Sequence, residues 1–168
     1  MYLGVLHIDI LNEDPEEMGR SLEDLAQAFA HMNLRHIQAR GLPSLYSRGV
    51  RWARTYPYVS PHCDGDVCTR PERSDLFRSV MQVYATGEGD CKDLTAIRLA
   101  ELWLEGEHDA QPMAIRYPEA LGPGFDLFHL VVSRVRRGPE QPGDFRDAEG
   151  VLRYIEDPSV ACGMQGVA

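Results

Sequence analysis

The change of hydrophobic period along the chain constrains the fold more than any other feature of the sequence. Apolar residues recur at helical spacing over about residues 15–32, 74–85 and 91–105, whereas residues 112–117, 127–136 and 150–157 are rich in β-branched and aromatic side chains. Because helices come first and a run of strands follows, the sequence predicts an α+β fold with helices packed on one face of an antiparallel sheet. A chain of 168 residues is long enough for one domain with its own core.

We predict that residues 1–73 form a strand, a helix and a long irregular segment. Residues 2–10 are the strand, and we interpret them as part of the mature protein because no basic region precedes an apolar block. The helix is predicted over about residues 15–32, with Asp14 as its cap. Its apolar stripe consists of Met18, Leu22, Leu25, Phe29 and Met32. Residues 33–73 have weak periodicity, which is typical of a long loop.

Two more helices are predicted in the middle of the chain. Residues 74–85 repeat apolar side chains at helical spacing, and a further helix covers about residues 91–105. On the buried side of this second helix we expect Leu94, Ile97, Ala100 and Leu104.

Cys91 stands at the start of that helix, in the stretch TGEGDCKDL. Asp90 is a good helix cap, which places Cys91 at the first helical position, where free amide groups and the helix dipole favour a thiolate. We expect Asp93 to be a partly solvated charge that stabilises the helix start. Taken alone, Cys91 is explained at least as well as a small residue that the turn tolerates.

Two further residues, His129 and Asp157, are candidate catalytic partners of Cys91. His129 lies inside the apolar segment FDLFHLVVSR, where a lone histidine is more often a hydrogen-bonded core residue than a catalyst. Asp157 ends the next predicted strand, just before a proline stops the ladder. If these strands are neighbours and the helix start packs against them, Cys91, His129 and Asp157 would lie next to one another. They could then act as nucleophile, base and orienting carboxylate.

The pieces GEGDCKDLTAIRLAEL, FHLVVSR and IEDPS, the last followed by GM, resemble the transglutaminase-like superfamily of cysteine acyl-transfer enzymes. The resemblance covers roughly residues 74–164, which it marks as the catalytic core of a single domain spanning 1–168. It implies a papain-like α+β fold, with the nucleophile at a helix start packed on an antiparallel sheet. By motif position, it implies Cys91 as nucleophile, His129 as general base and acid, and Asp157 as the orienting group.

The resemblance also implies a reaction. Cys91 would attack amide bonds of protein or peptide substrates and form a thioester, in a protease, an amidase or a cross-linking enzyme, with no cofactor. The Cys91 backbone N–H and one donor from upstream would bind the oxyanion. Gln82 and Tyr84 are candidate donors, with Trp52 or Tyr46 as alternatives from the long segment, and the sequence does not choose among them.

The short form of the chain is most similar to small transglutaminase-like proteins encoded by bacteriophages and prophages. That likeness implies a cytoplasmic protein or one incorporated into a phage virion or tail, with other phage structural proteins as partners. The alternative function is therefore a structural or assembly component that uses the fold as a docking module. Its triad would be vestigial or used only during assembly.

Composition excludes some partners and leaves one metal hypothesis. A net charge of −9 argues against a nucleic-acid partner, and no apolar run is long enough to predict a membrane span. His62, Cys63 and Cys68 are weak candidates for zinc ligands, because their spacing is loose and no second pair of ligands accompanies them. A local disulfide and free loop thiols are the alternatives, so we predict no metal.

Overall fold

The computed structural model of the chain describes residues 14–53, 62–64, 67–69, 77–120 and 126–165, with the backbone alone at 62–64 and 67–69. The strand predicted over residues 2–10 lies outside the described residues. Among the described residues, no helix has both the length and the apolar character needed to cross a membrane.

The first helix, α1, spans Pro15–Arg40 and is longer than predicted. Asp14 caps it by accepting a hydrogen bond from the Glu16 N–H at 2.9 Å. Its buried positions are not the predicted large apolar stripe: they are Gly19, Ala26, Ala30, Asn33 and Ile37. Small residues at these positions let the helix approach its neighbours closely, and the predicted Met32 is instead 37% exposed.

Within the described ranges, four short strands occur outside the main sheet. Strand β1 (Arg51–Trp52) pairs in parallel with β4 (Glu88–Gly89). Strands β2 (His62–Asp64) and β3 (Val67–Thr69) form an antiparallel pair. The segment predicted to be irregular therefore contains both the end of α1 and short pieces of regular structure.

Two helices flank the turn before Cys91. Helix α2 spans Val80–Thr86 and is capped by Ser79, so it begins later than predicted; residues 74–76 lie outside the described residues. Helix α3 spans Cys91–Leu104 and is buried on nearly all sides. The predicted burial of Leu104 is wrong, because this last residue of α3 is 39% exposed.

The main sheet has the strand order β5–β6–β8–β7, with every neighbouring pair antiparallel. Its strands are β5 (Gln111–Tyr117), β6 (Leu127–Val135), β7 (Phe145–Arg146) and β8 (Leu152–Glu156). A short helix, α4 (Pro158–Ala161), follows β8 directly. The prediction of an α+β fold is confirmed.

The core lies between the helices and the sheet. Helix α1 packs against α3 and β5, while α3 packs against β6. Residues 129–133 of β6 are buried one after another, so both faces of this strand are covered. The chain thereby brings the start of α3 close to the strands that carry His129 and Asp157.

Candidate active site

The turn that leads into α3 is closed by reciprocal hydrogen bonds. Asp90 caps the helix, with its Oδ1 accepting from the Asp93 N–H at 3.3 Å, and Asp93 Oδ2 accepts from the Asp90 N–H at 3.4 Å. Lys92 Nζ forms an ion pair with Asp90 Oδ2, and both side chains are largely buried. Cys91 is therefore held at the first position of α3, where the amide groups have no carbonyl partner within the helix.

Asp93 is not the partly solvated charge that we expected, since it is fully buried. Its Oδ1 accepts from the Arg78 N–H at 2.7 Å and its Oδ2 accepts from Arg78 Nε at 2.8 Å. Burial raises the pKa of Asp93 to about 6, the charge of Asp90 adds to the rise, and Lys92 and Arg78 oppose it. Asp93 thus ties the segment before α2 to the start of α3.

His129 and Asp157 are in direct contact. His129 Nε2 lies 2.8 Å from Asp157 Oδ2. The second oxygen, Asp157 Oδ1, accepts from the Ser159 N–H at 2.9 Å and from the Val160 N–H at 3.3 Å, so Asp157 also caps α4. One carboxylate therefore orients the imidazole while the first turn of α4 fixes the carboxylate.

The electrostatics of His129 link it to Cys91 as well. Burial lowers the pKa of His129, but interactions of the ring with Asp157 and Cys91, through hydrogen bonding and through their charges, outweigh burial and raise this pKa to about 9. Burial alone would raise the pKa of Asp157, but the contact with His129 outweighs burial and lowers this pKa below its usual value. Because Nε2 faces Asp157, Nδ1 is the ring nitrogen available to the thiol. At neutral pH the site therefore holds an imidazolium beside the Asp157 carboxylate.

A buried hydrogen bond holds α3 against the strand that carries His129. Thr95 Oγ1 donates to the Leu130 carbonyl oxygen at 2.9 Å, and Thr95 is fully buried. Thr95 lies about one helical turn after Cys91, and Leu130 directly follows His129. This contact limits how far the thiol and the imidazole can drift apart.

Two of the four candidate oxyanion donors, Gln82 and Tyr84, lie on α2 and have other hydrogen-bond partners. Gln82 Oε1 accepts from the Ser79 N–H at 2.9 Å and from Ser79 Oγ at 3.1 Å, closing the capping box of α2. The Tyr84 hydroxyl donates to the Pro43 carbonyl oxygen at 3.0 Å. The pKa of Tyr84 is raised, first by burial and then by the charge of Glu101. Both side chains therefore serve local structure in this arrangement.

Trp52 lies on the strand beside the turn before Cys91. It is the register partner of Gly89 in the parallel pair of β1 and β4, and the Ala53 N–H donates to the Gly89 carbonyl oxygen at 2.9 Å. The Trp52 N–H donates to the Cys162 carbonyl oxygen at 2.8 Å. Trp52 thus joins the turn before α3 to the segment after α4.

Among the described residues, Cys91 and Cys162 are free cysteines with different surroundings. Cys91 is half-buried, whereas Cys162 is 8% exposed. Burial raises the pKa of the Cys162 thiol, and the charges of Glu101 and Asp157 raise it further. Cys162 therefore offers an internal comparison for the reactivity of Cys91.

The weak metal candidates lie on the β2–β3 pair. Cys63 is the register partner of Cys68, and His62 is that of Thr69. Their side chains lie outside what the structure describes, so the zinc and disulfide alternatives stay predictions. Within the described part of the chain, no group of three or more His, Cys, Asp or Glu residues is arranged to hold a metal ion.

Sequence reasoning missed a cluster of charges behind the triad. Arg98 Nε donates to Glu156 Oε1 at 2.6 Å, and Arg134 Nη1 pairs with Glu156 Oε2. A signal was present, since Arg98 lies about two helical turns after Cys91 and therefore on the same face of α3. A charge on that face of a buried helix requires a partner, which the strand run supplies.

Comparison with family models, with curated proteins and with solved structures found no match for this chain.

Proposed function

We propose that this protein is a thiol enzyme of the transglutaminase-like kind, acting on amide bonds of protein or peptide substrates through Cys91, His129 and Asp157. The observation that carries the proposal is the 2.8 Å contact between His129 Nε2 and Asp157 Oδ2, with Cys91 among the groups that raise the pKa of the same imidazole. A thiol at a helix start beside an oriented imidazolium is the arrangement that nucleophilic cysteine catalysis requires. The papain-like form of the α+β fold is part of this proposal.

In the first half of the reaction, the Cys91 thiolate attacks the carbonyl carbon of the amide. The carbonyl oxygen becomes an oxyanion, which the Cys91 backbone N–H stabilises together with a second donor. The His129 imidazolium then gives its proton to the leaving nitrogen as the carbon–nitrogen bond breaks. Ammonia or an amine leaves, and the acyl group stays on Cys91 as a thioester.

In the second half, water or an amine attacks the thioester carbonyl. The neutral His129 imidazole takes a proton from this attacking group, and the carbon–sulfur bond breaks to return the Cys91 thiolate. Asp157 keeps the imidazole oriented throughout and stabilises its charged form. Attack by water gives a peptidase or deamidase, whereas attack by an amine gives a cross-linking enzyme.

The position of Trp52 supports it as the upstream oxyanion donor. Its register partner is Gly89, two residues before Cys91, while Gln82 accepts from Ser79 and the Tyr84 hydroxyl donates to the Pro43 carbonyl oxygen. We therefore expect replacement of Trp52 to slow acylation of Cys91 more than replacement of Gln82 does.

Acylation by p-nitrophenyl acetate tests the proposal without knowledge of the natural substrate. We expect a burst of p-nitrophenol and an acetyl group on Cys91, located by peptide mass spectrometry. The burst should disappear in Cys91→Ser and slow by about a hundredfold or more in His129→Ala. Cys162→Ser is the matched control and should keep the burst. Acetylation of Cys91 at equal rates in the native protein and in His129→Ala would contradict the proposal.

A further inference from the structure

The carboxylate of Glu156 meets side chains from three other segments of the chain. Oε1 accepts from Arg98 Nε and from the Tyr46 hydroxyl, each at 2.6 Å, while Oε2 pairs with Arg134 Nη1. We call Tyr46, Arg98, Arg134 and Glu156 the Glu156 cluster. The side chains of Arg98, Arg134 and Glu156 are 11%, 18% and 16% exposed. These ion pairs are therefore far less screened than pairs on a protein surface.

The cluster joins the elements that carry the proposed triad. Arg98 lies on α3, the helix that begins at Cys91, and Arg134 lies on β6, the strand that carries His129. Glu156 is the last residue of β8 and directly precedes Asp157. One carboxylate thus contacts both other elements at once.

We infer that Glu156 is a positioning residue for the triad, fixing α3, β6 and β8 relative to one another so that Cys91, His129 and Asp157 keep their contact. This inference rests on the proposed function. Directional ion pairs suit the task because both oxygens are engaged at short range by planar guanidinium groups.

Stability alone does not account for the cluster. Burying charged groups costs desolvation, and well-packed apolar residues often serve equally well or better. Both arginines also have other carboxylate partners, namely Glu101 and Glu105 for Arg98 and Glu107 for Arg134. Glu156 differs from these partners in joining α3, β6 and β8 directly.

Two neutral variants separate positioning from a simple effect of charge on His129. If Glu156 acted only through its charge, E156Q would lower the pKa of His129, whereas R98Q would raise it by removing a positive charge. If the Glu156 cluster positions the triad, both variants loosen the packing of α3, β6 and β8 and, with it, the contact between His129 and Asp157. Both should then lower the His129 pKa and slow the reaction of Cys91.

Asp147→Asn is a matched control, because Asp147 pairs with an arginine of β8, the strand that ends at Glu156. Asp147 pairs with Arg153 of β8 at 2.5 Å, and the two side chains are 17% and 8% exposed, which is similar to the Arg98–Glu156 pair. This pair joins β8 to the turn before it and does not reach α3. Arg153 Nη1 also donates to Ser133 Oγ of β6 at 3.5 Å, a contact that does not involve Asp147. Its loss should reduce stability without changing the triad.

The experiment measures alkylation of Cys91 by iodoacetamide and the NMR titration of His129 in native protein, E156Q, R98Q and D147N. We expect E156Q and R98Q to slow alkylation at pH 7 by about ten- to a hundredfold. Their His129 midpoints should move from about 9 toward the ordinary value of about 6.5. The alkylation rate of Cys91 in D147N should stay within about twofold of the rate in native protein. If E156Q does not fold, E156D, which keeps the charge on a shorter chain, should show a smaller loss of the same kind.

Two results would overturn the inference. A rise of the His129 midpoint in R98Q would show a charge effect alone, and an equal loss in D147N would show general destabilisation. Native Cys91 reacting no faster than an ordinary thiol would instead remove the proposed function itself. Rapid alkylation in native protein and in all variants would leave the proposed function standing and remove only the role of Glu156.

Discussion

His129 Nε2 and Asp157 Oδ2 lie 2.8 Å apart, although 28 positions separate the two residues in the sequence. The contact forms because β6 and β8 are antiparallel neighbours and because Asp157 is held at the start of α4. It raises the pKa of His129 and lowers that of Asp157, so each partner stabilises the charged form of the other.

The charge state of His129 gives the first prediction. Its pKa is raised to about 9, so its imidazole should titrate near pH 9 by NMR, and the midpoint should fall in Asp157→Asn. A pKa raised on folding contributes stability that is fully present below about pH 6.5 and is lost as the pH rises through about 9. Urea unfolding should therefore show the stability advantage of native protein over Asp157→Asn shrinking across that window. A native midpoint near 6.5 would contradict this.

Loss of the Asp93 side chain should destabilise the protein strongly. Asp93→Ala leaves the Arg78 guanidinium without its carboxylate and opens the capping box of α3, at a cost of about 3 kcal/mol in urea unfolding. Glu88→Ala is the control, because Glu88 pairs with Arg51 at 2.9 Å on the surface, with side chains 44% and 78% exposed. The control should cost less than about 1 kcal/mol. Equal losses would show that burial of Asp93 has no energetic consequence.

Lowering the pH should reduce the free-energy cost of burying the Asp93 carboxylate, because protonation removes its charge. Its folded pKa of about 6 lies above the ordinary value of 3.8, so the folded state binds an extra proton between these values. The contribution of Asp93 to stability is therefore largest below about pH 3.8 and is lost as the pH rises through about 6. The destabilisation caused by Asp93→Asn, measured by urea unfolding, should be larger at pH 5 than at pH 8. A difference that grows with rising pH would contradict the assignment.

Replacing a glycine by alanine should have opposite effects on stability at two positions. A Cβ at Gly89 would lie 2.8 Å from Leu94 Cδ2 and 3.3 Å from Val83 Cγ1, both on fully buried residues. Gly89→Ala should therefore cost about 1–3 kcal/mol and slow the reaction of Cys91. At Gly19 inside α1, the nearest atom would be Phe128 Cε1 at 3.6 Å, an ordinary contact. Gly19→Ala should stabilise the protein by about 0.5–1 kcal/mol, because alanine favours a helix. Thermal unfolding measures both, and equal shifts would contradict the packing described for Gly89.

Local sequence signals predicted the type of most elements but not their ends. The period of two and the β-branched residues indicated β5, β6 and β8, and the cap at Asp90 indicated the start of α3. The end of α1 was missed because the large apolar residues stop early, although Gly41, with a φ of 57°, is a common helix-ending signal. The small residues buried in α1 give no hydrophobic stripe.

The residues of the candidate site were easier to identify in the sequence than their surroundings. Cys91 is marked by its place at a helix start, His129 by its place on a strand, and Asp157 by its place directly before a proline. The full burial of Asp93 was not predictable, since it depends on Arg78 closing over it from a separate segment. The partners of Glu156 are likewise set by strand order and helix packing, which no local pattern specifies.

Alkylation of Cys91 by iodoacetamide, followed from pH 5.5 to 9 by peptide mass spectrometry, tests the proposed triad most directly. An ordinary thiol with a pKa of about 8.5 is only about 1% thiolate near pH 6.5, so its rate rises steeply with pH. We predict that iodoacetamide alkylates native Cys91 at least about tenfold faster at pH 6.5 than it alkylates an ordinary thiol. The rate of native Cys91 should depend only weakly on pH near 6.5, and His129→Ala should restore the steep rise with pH. Cys91 reacting with the profile of an ordinary thiol in both proteins would contradict the proposed catalytic role.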